Sequence, residues 1–186
     1  MRRILAAATL ALAACGQAAP DAAPAATSPN DPFANARDGQ LLCTSPNESQ
    51  KTCGSIMQFT FAPNGEVHAS GQSIRNLEPL IVSTGPLPIE VTVDGFCATY
   101  RSEPADTQNF TIDGVPASPE ATASIRADLR SRPNPPQACL SFSATSIQTA
   151  VTIDGVAQPE MAERMIWISP DAGYSIGWPP SQAPAQ

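Results

Sequence analysis

Residues 57–70 read MQFTFAPNGEVHAS. Apolar and polar residues alternate over the first five positions, which is the pattern of a strand with one buried face. Asn64-Gly65 favours a tight hairpin turn, because both residues tolerate a positive φ. Residues 66–70 can then form the returning strand. This stretch predicts an antiparallel β-hairpin.

Two further segments show the same alternation. In residues 89–101, IEVTVDGFCATYR, one face carries apolar side chains, and Cys97 lies on the opposite, polar face. Residues 138–143, ACLSFS, likewise place Cys139 on the polar face of a strand. The apolar positions predicted to face the core are Ile89, Val91, Val93, Phe96, Leu140 and Phe142. Met165–Ile168 is apolar on both faces, which predicts a central strand.

A single convincing helix is predicted at about residues 118–131. Ser118 can cap its N-terminus, Pro119 suits the first helical position, and Glu120 complements the helix dipole. An apolar stripe at every fourth position can pack on the sheet: Ala121, Ile125 and Leu129. Together these elements predict an α+β domain, with a mostly antiparallel sheet of about six to eight strands and one packed helix.

The N-terminus has the organisation of a secretory signal peptide. Arg2 and Arg3 precede an apolar run, Ile4 to Ala14, that is too short to span a bilayer. Its end, Leu12-Ala13-Ala14-Cys15, resembles the lipobox of bacterial lipoproteins at all four positions. The resemblance implies cleavage before Cys15, a diacylglyceryl thioether on its sulfur and an acylated new N-terminus. Several acyl chains suffice for stable anchoring, whereas one alone holds only marginally.

Gly16 follows the lipobox cysteine. In the lipoprotein class an aspartate there tends to retain the protein at the inner membrane, so the resemblance implies the periplasmic face of the outer membrane. The alternative is ordinary secretion, with cleavage near Ala18-Ala19 and a periplasmic or secreted protein. The domain organisation expected is a signal peptide (1–14), a lipidated cysteine with an Ala/Pro-rich tether (15–38), a single globular domain (39–178) and a disordered tail (179–186).

The chain has five cysteines, and four remain once Cys15 belongs to the anchor. An even number in an exported protein predicts disulfides, and four cysteines allow three connectivities. A polar Pro-Asn turn between Cys43 and Cys53 favours a local bridge. Cys97 and Cys139 can face each other if their strands are neighbours. We therefore expect Cys43–Cys53 and Cys97–Cys139.

Composition excludes one class of partner. Without Arg2 and Arg3 the chain has eight basic and 17 acidic residues, a net charge of −9. Nucleic-acid binding needs a basic footprint, so no nucleic-acid partner is expected. The same charge argues against attraction to anionic lipid.

One short sequence motif, a predicted strand followed by Asp-Gly, occurs three times: at residues 91–95, 110–114 and 151–155. One interpretation is that the three aspartates lie on a shared edge that binds a ligand or calcium. However, calcium loops stack several oxygen ligands, and each copy has one aspartate. Strands followed by tight turns are the favoured interpretation.

Catalytic and metal motifs are sparse. His68 is the only histidine; on a strand it would share a side with Glu66, but no third metal ligand is evident. The sequence contains no phosphate-binding glycine loop or Cys-x-x-Cys pair. We therefore predict no catalytic residue, metal or cofactor. Carboxylate pairs meet only in space, so a hydrolase using two acids stays open.

Two further features concern partners. Tyr174 and Trp178 are the candidate contact surface, because aromatic anchors are favoured at interfaces. The arginines Arg126, Arg130 and Arg132 near the end of the predicted helix form either an anion site or a dipole-favoured helix terminus.

The folded part loosely resembles uncharacterised exported bacterial proteins, through Lys51-Thr52-Cys53 and the late strand Ile166–Pro170. The resemblance implies no activity. The sequence predicts a membrane-tethered, non-catalytic binding or accessory module, held to the membrane at Cys15 and serving an envelope protein partner. The alternatives are an envelope hydrolase using carboxylates, a small-ligand carrier, and a protease inhibitor with Cys43–Cys53 bracing its loop.

Overall fold

The structure is a computed structural model, which describes residues 31–98, 104–131, 138–143, 146–153, 155–159 and 162–177. The predicted lipobox with Cys15, most of the predicted tether, Arg132, Trp178 and the predicted tail lie outside these residues. The elements below and every contact refer to the described residues.

Short helices and many strands make up the chain. The helices are α1 (Ala34–Arg37), α2 (Pro104–Thr107) and α3 (Pro119–Ser131). The strands are β1 (Leu41–Thr44), β2 (Thr52–Cys53), β3 (Ser55–Phe61), β4 (Val67–Leu77), β5 (Leu80–Leu87), β6 (Ile89–Val91), β7 (Gly95–Ala98), β8 (Asn109–Ile112), β9 (Val115–Pro116), β10 (Ala138–Ser143), β11 (Ser146–Ile153), β12 (Val156–Ala157), β13 (Met165–Ile168) and β14 (Ser175–Ile176). A 3-10 turn, Pro170–Ala172, precedes β14.

The described strands form two antiparallel sheets and one small parallel pair. The larger sheet has seven strands in the order β13-β1-β3-β4-β5-β8-β9, and the smaller has five in the order β12-β11-β10-β7-β6. β14 pairs with β2 in parallel. The predicted mostly antiparallel α+β fold is confirmed, but the expectation of one sheet of six to eight strands is wrong. The prediction of Met165–Ile168 as a central strand is also wrong, because β13 is the edge strand of the larger sheet among the described residues. β5 ends at Leu87 and β6 begins at Ile89, so the chain passes from the larger sheet to the smaller one at Pro88.

The core lies between the two sheets. Its buried members come from both sheets and from the segment before β1: Phe33, Ala36, Leu42, Met57, Phe59, Ala69, Phe96 and Met165. Half-buried apolar side chains surround them, including Trp167, whose ring centroid lies 6.1 Å from that of Phe59. Burial of aromatic side chains from separate elements stabilises the sandwich most where these rings meet.

The folded part begins before Gly39, which corrects the predicted boundary of the tether. Phe33 is 2% exposed, and its ring packs against those of Phe59, Phe61 and Phe96 at centroid distances of 5.1, 6.2 and 6.4 Å. We call residues 31–37 the plug. The sequence did not predict the burial of Phe33, because a single phenylalanine after an Ala/Pro-rich stretch shows no apolar periodicity.

Asp31 and Arg37 hold the plug in its conformation. An oxygen of the Asp31 carboxylate accepts from the backbone N–H of Phe33 at 2.9 Å, and the other accepts from Nε of Arg37 at 2.7 Å. The Arg37 guanidinium also lies 4.0 Å from the centre of the Phe61 ring, a cation–π contact. The plug therefore combines a buried ring with a polar clasp at the surface.

The predicted hairpin is confirmed as β3 and β4, which pair from Phe61–Val67 to Ser55–Ser73. Its turn is longer than a two-residue loop. The N–H of Gly65 donates to the carbonyl of Ala62, and Gly65 has a φ of 87°. Glycine adopts this left-handed conformation without strain, which ends the turn and starts the return strand.

The predicted helix is confirmed as α3, but it packs lightly. The N–H of Ala121 donates to the hydroxyl of Ser118 at 3.2 Å, the predicted N-cap. None of its described residues is fully buried; the apolar stripe lies half-buried: Ala121, Ile125 and Leu129. The helix is instead held partly by Arg126, which donates to the carbonyls of Ala105 and Gln108.

The strand predicted from residue 89 buries less than expected. Ile89 packs on the core, but Val91 is 46% and Val93 is 89% exposed. β6 ends at Val91, and the chain turns back into β7 with the N–H of Thr92 donating to the carbonyl of Gly95. Alternation predicted the strand, but only the position of the sheet edge decides how far its apolar face stays covered.

Two of the three Asp-Gly motifs form equivalent hairpins at sheet edges. β8 and β9 pair as Ile112–Val115, and β11 and β12 pair as Ile153–Val156. Gly114 and Gly155 both have positive φ, at 81° and 79°. In the first motif Gly95 instead begins β7, where an added Cβ would lie 2.1 Å from the Leu140 carbonyl oxygen. Tight turns explain the glycine in two of the motifs, and close strand packing explains it in the third.

Both predicted disulfides are present. Cys43 pairs with Cys53, and Cys97 with Cys139. The second pair lies at directly opposed positions of β7 and β10, as the predicted strand pairing required. Cys97 is 6% exposed, however, so the expectation that it lies on a polar face is wrong.

Candidate binding surface at the disulfide-braced loop

The loop between Cys43 and Cys53 is folded tightly on itself. We call residues 44–52 the braced loop. The backbone N–H and C=O groups of Asn47 and Thr52 bond to each other at 2.8 and 3.1 Å. The side-chain oxygen of Asn47 accepts from the N–H of Gln50 and from the hydroxyl of Ser49. These local bonds fix the turn, because an asparagine side chain can replace a backbone acceptor.

Three side-chain contacts tie the braced loop to residues far along the chain. Arg164 pairs with Glu48. The hydroxyl of Ser45 donates to a carboxylate oxygen of Glu163 at 3.2 Å, and Nζ of Lys51 donates to the carbonyl of Ala172 at 2.7 Å. The loop tip from Glu48 to Lys51 remains exposed. Each exposed pair contributes little by itself, but together with the disulfide they hold one conformation.

A small second core supports this surface from beneath. Cys43 and Cys53 are both 0% exposed and Ile168 is 6% exposed. Tyr174, predicted as a contact residue, is half-buried and packs against this cluster. It therefore supports the surface and offers only part of its ring to a partner. Trp178, the other predicted contact residue, lies outside the described residues.

The braced loop and the plug lie at opposite ends of the larger sheet. β3 runs from Ser55, next to Cys53, to Phe61, which touches the plug. Seven residues in a strand extend roughly 20 Å. A chain tethered through the plug would therefore present the braced loop away from its tether.

A buried polar cluster lies on the β4–β5 part of the larger sheet. Ser83 is 2% and Gln108 3% exposed. Nε of Arg75 donates to the Ser83 hydroxyl at 2.8 Å, and another nitrogen of Arg75 donates to the Gln108 side-chain oxygen at 3.2 Å. Buried polar groups are costly unless they are hydrogen-bonded, and these bonds meet that need. They also link β4 and β5 to the segment before β8.

The arginines near the end of α3 serve the fold. Arg126 satisfies the Ala105 and Gln108 carbonyls, and Arg130 pairs with Asp106. These contacts use guanidinium N–H donors, which an anion site would need. They favour the helix-terminus interpretation of the two described arginines.

The His68–Glu66 pair is exposed, with 3.7 Å between Nε2 and a carboxylate oxygen and 58% and 60% exposed side chains. Among the described residues, no group of three His, Cys, Asp or Glu side chains could hold a metal ion. The pair therefore lies on an open polar face of the hairpin.

Two carboxyl groups have displaced pKa values, both downward. Partial burial alone would raise the pKa of Asp31, but the hydrogen bonds from Arg37 and from the Phe33 N–H, with the charge of Arg37, lower it. The Glu120 backbone N–H and the Ser118 hydroxyl lower the pKa of the Glu120 carboxyl. A general acid needs a raised pKa, so neither group suits that role.

Comparison with protein-family models, with curated proteins and with solved structures finds no match to this chain. Of the helices in the described part, none has the length and apolar content to cross a bilayer.

Proposed function

We propose that this protein is a lipoprotein of the bacterial envelope, anchored through Cys15, that acts as a non-catalytic binding or accessory module. Support for the anchor comes from the lipobox, Leu12–Cys15, behind a positively charged and apolar leader. Gly16 supports the periplasmic face of the outer membrane as its location. The partner is an envelope protein that docks on the braced loop.

The conformation of the braced loop carries the proposal for binding. A disulfide, two backbone bonds between Asn47 and Thr52 and three side-chain contacts to residues 163–172 hold it in one conformation while its tip is exposed. Binding to a surface that is already ordered loses little conformational entropy, so more of the contact energy appears as affinity. Its position opposite the plug leaves it accessible in a tethered protein.

Site-specific crosslinking tests the partner. A photoreactive amino acid replacing Gln50, at the exposed loop tip, should give a discrete crosslinked envelope protein in cells. The matched control replaces His68, which is also exposed but lies opposite Thr60 at the other end of β3 from the braced loop. A crosslink to the same protein at His68 alone, or none at Gln50, would contradict docking on the braced loop.

The anchor has its own test. Cys15→Ser should move the protein from the membrane fraction to the soluble periplasmic fraction, and mass spectrometry of the wild type should find acyl chains on Cys15. Membrane retention of C15S would contradict the anchor without affecting the crosslinking result.

A protease inhibitor is the second candidate, favoured by the same exposed, disulfide-braced loop. It predicts that the purified domain inhibits an envelope protease and that Lys51→Ala or Gln50→Ala weakens inhibition. Cleavage of the loop without inhibition across a panel of such proteases would exclude it.

A further inference from the structure

Two exposed valines lie at the β6–β7 turn. Val91 is 46% and Val93 89% exposed; both continue the sequence alternation that begins with Ile89, which packs against the core, but Val93 lies in the turn beyond β6. Isolated exposed apolar residues are ordinary on protein surfaces. Here two such residues, alternate in sequence, lie where the apolar face of an edge strand runs out of the core. We call residues 91–94 the valine tip.

The valine tip begins opposite a strand residue that packs on the plug. Val91 is directly opposite Phe96 in the β6–β7 pair, and the Phe96 ring stacks on that of Phe33 at 6.4 Å. Phe33 is two residues from Asp31, where the described chain begins. One strand pairing and one ring contact therefore connect the tip to the plug.

The chain between the lipobox cysteine and the plug is short. Residues 15–30 number 16 and are rich in Ala and Pro. Fully extended they reach about 50 Å, and as a coil they average about 22 Å. A tether of this length keeps its domain at a high effective concentration next to the membrane, so that even a weak contact is populated.

We propose that the valine tip contacts the zwitterionic lipid surface to which the chain is anchored. The inference rests on the lipid anchor proposed above. Zwitterionic lipid is specified because the exposed residue Glu90 precedes Val91, the exposed residue Asp94 follows Val93 and the net charge is negative, so anionic headgroups would repel the tip. The contact orients the plug end toward the bilayer and the braced loop away from it.

Hydrogen–deuterium exchange of the lipidated full-length protein tests the contact. The protein is reconstituted in phosphatidylcholine–phosphatidylethanolamine vesicles and compared with C15S mixed with the same vesicles. Exchange in residues 91–94 should slow about tenfold on reconstitution, which is what burial of one valine side chain supports. Val93→Asp should abolish this slowing, while flotation with the vesicles stays unchanged.

Val115→Asp is the matched control. Val115 is 65% exposed, but it pairs with Ile112, which is opposite Ile81 on β5, roughly 20 Å from Leu87 at the plug end of that strand. This variant should leave both tip protection and flotation unchanged.

The outcomes separate the two proposals. Flotation without tip protection would overturn the lipid contact and keep the anchor. Equal flotation of C15S would overturn the anchor. Slow tip exchange in detergent that grows with protein concentration would show that a second copy covers the valines, and would also overturn the lipid contact.

Discussion

The two ends of the larger sheet are held by different interactions. At the plug end, Phe33 is buried among three other aromatic rings. At the other end the buried cluster is small, and the braced loop depends on the Cys43–Cys53 disulfide and on polar contacts across the surface. Packing stabilises the end where the sheets enclose a core. Crosslinks stabilise the end where too little apolar surface is available.

Removing the buried ring of the plug should have the largest effect. Phe33→Ala should lower the free energy of unfolding by about 4 kcal/mol, because it loses burial and leaves a cavity between the sheets. Urea denaturation measures it. Phe33→Leu, which keeps most of the volume, should cost clearly less. A loss below about 1 kcal/mol for F33A would show that the plug is not part of the core.

Removing the disulfide at the opposite end should cost slightly less. Cys43→Ala with Cys53→Ala should lower the free energy of unfolding by about 3 kcal/mol, the chain-entropy value for a loop of this size. Alanine is chosen because both sites are fully buried. Amide exchange should accelerate in the braced loop and stay slow around Phe59. Equal acceleration at both ends would contradict the separation of the two ends.

The polar clasp of the plug should contribute less, and only above acidic pH. Asp31→Asn should cost about 1 kcal/mol near neutral pH by weakening the bonds to Arg37 and Phe33. Because folding lowers the pKa of Asp31, the stabilisation is complete above the usual value of 3.8 and is lost as pH falls through the folded value. The wild type and D31N should therefore converge below about pH 4.

Denaturation at several pH values measures this convergence. Asp38→Asn, at an exposed aspartate just after α1, is the matched control and should change stability little. A difference between wild type and D31N that persists at pH 2 would contradict the charged clasp.

The surface pair of the braced loop should matter least. Arg164→Ala should cost about 0.5 kcal/mol, because exposed ion pairs lose most of their attraction to solvent screening. A double-mutant cycle with Glu48→Ala, in low and high salt, isolates the pair. A coupling above about 1.5 kcal/mol would contradict a minor role for this pair, because it exceeds what an exposed ion pair contributes.

Local signals predicted the secondary structure and the disulfides well. The Asn64-Gly65 hairpin, the helix behind Ser118 and the Cys43–Cys53 pair followed from patterns within short segments. The Cys97–Cys139 pair followed only on the condition that two separate strands are neighbours. The buried role of Phe33 and the exposure of Val93 did not follow from such patterns. Burial depends on which segment lies across from a residue, and a phenylalanine in an Ala/Pro-rich stretch carries no sign of its distant partners.

The candidate surface was predicted only in part. Cys43 and Cys53 indicated a braced loop, but its contacts with Glu163, Arg164 and Ala172 join positions more than a hundred residues apart. No spacing rule connects such positions. Tyr174 was chosen as a contact residue from its type alone, and the structure instead packs it partly beneath that surface.

The sequence by itself determined the strand periodicity, the turns, the capped helix and the local Cys43–Cys53 bridge, because each depends on neighbouring residues. The Cys97–Cys139 bridge also required β7 and β10 to be neighbours. The sequence also carries the lipobox motif on which the proposed anchor rests. Only the tertiary structure decided that the strands divide into two sheets, that Phe33 fills the space between them, and that the plug and the braced loop lie at opposite ends. Those features depend on contacts between distant segments, which form only when the whole chain buries its apolar surface together.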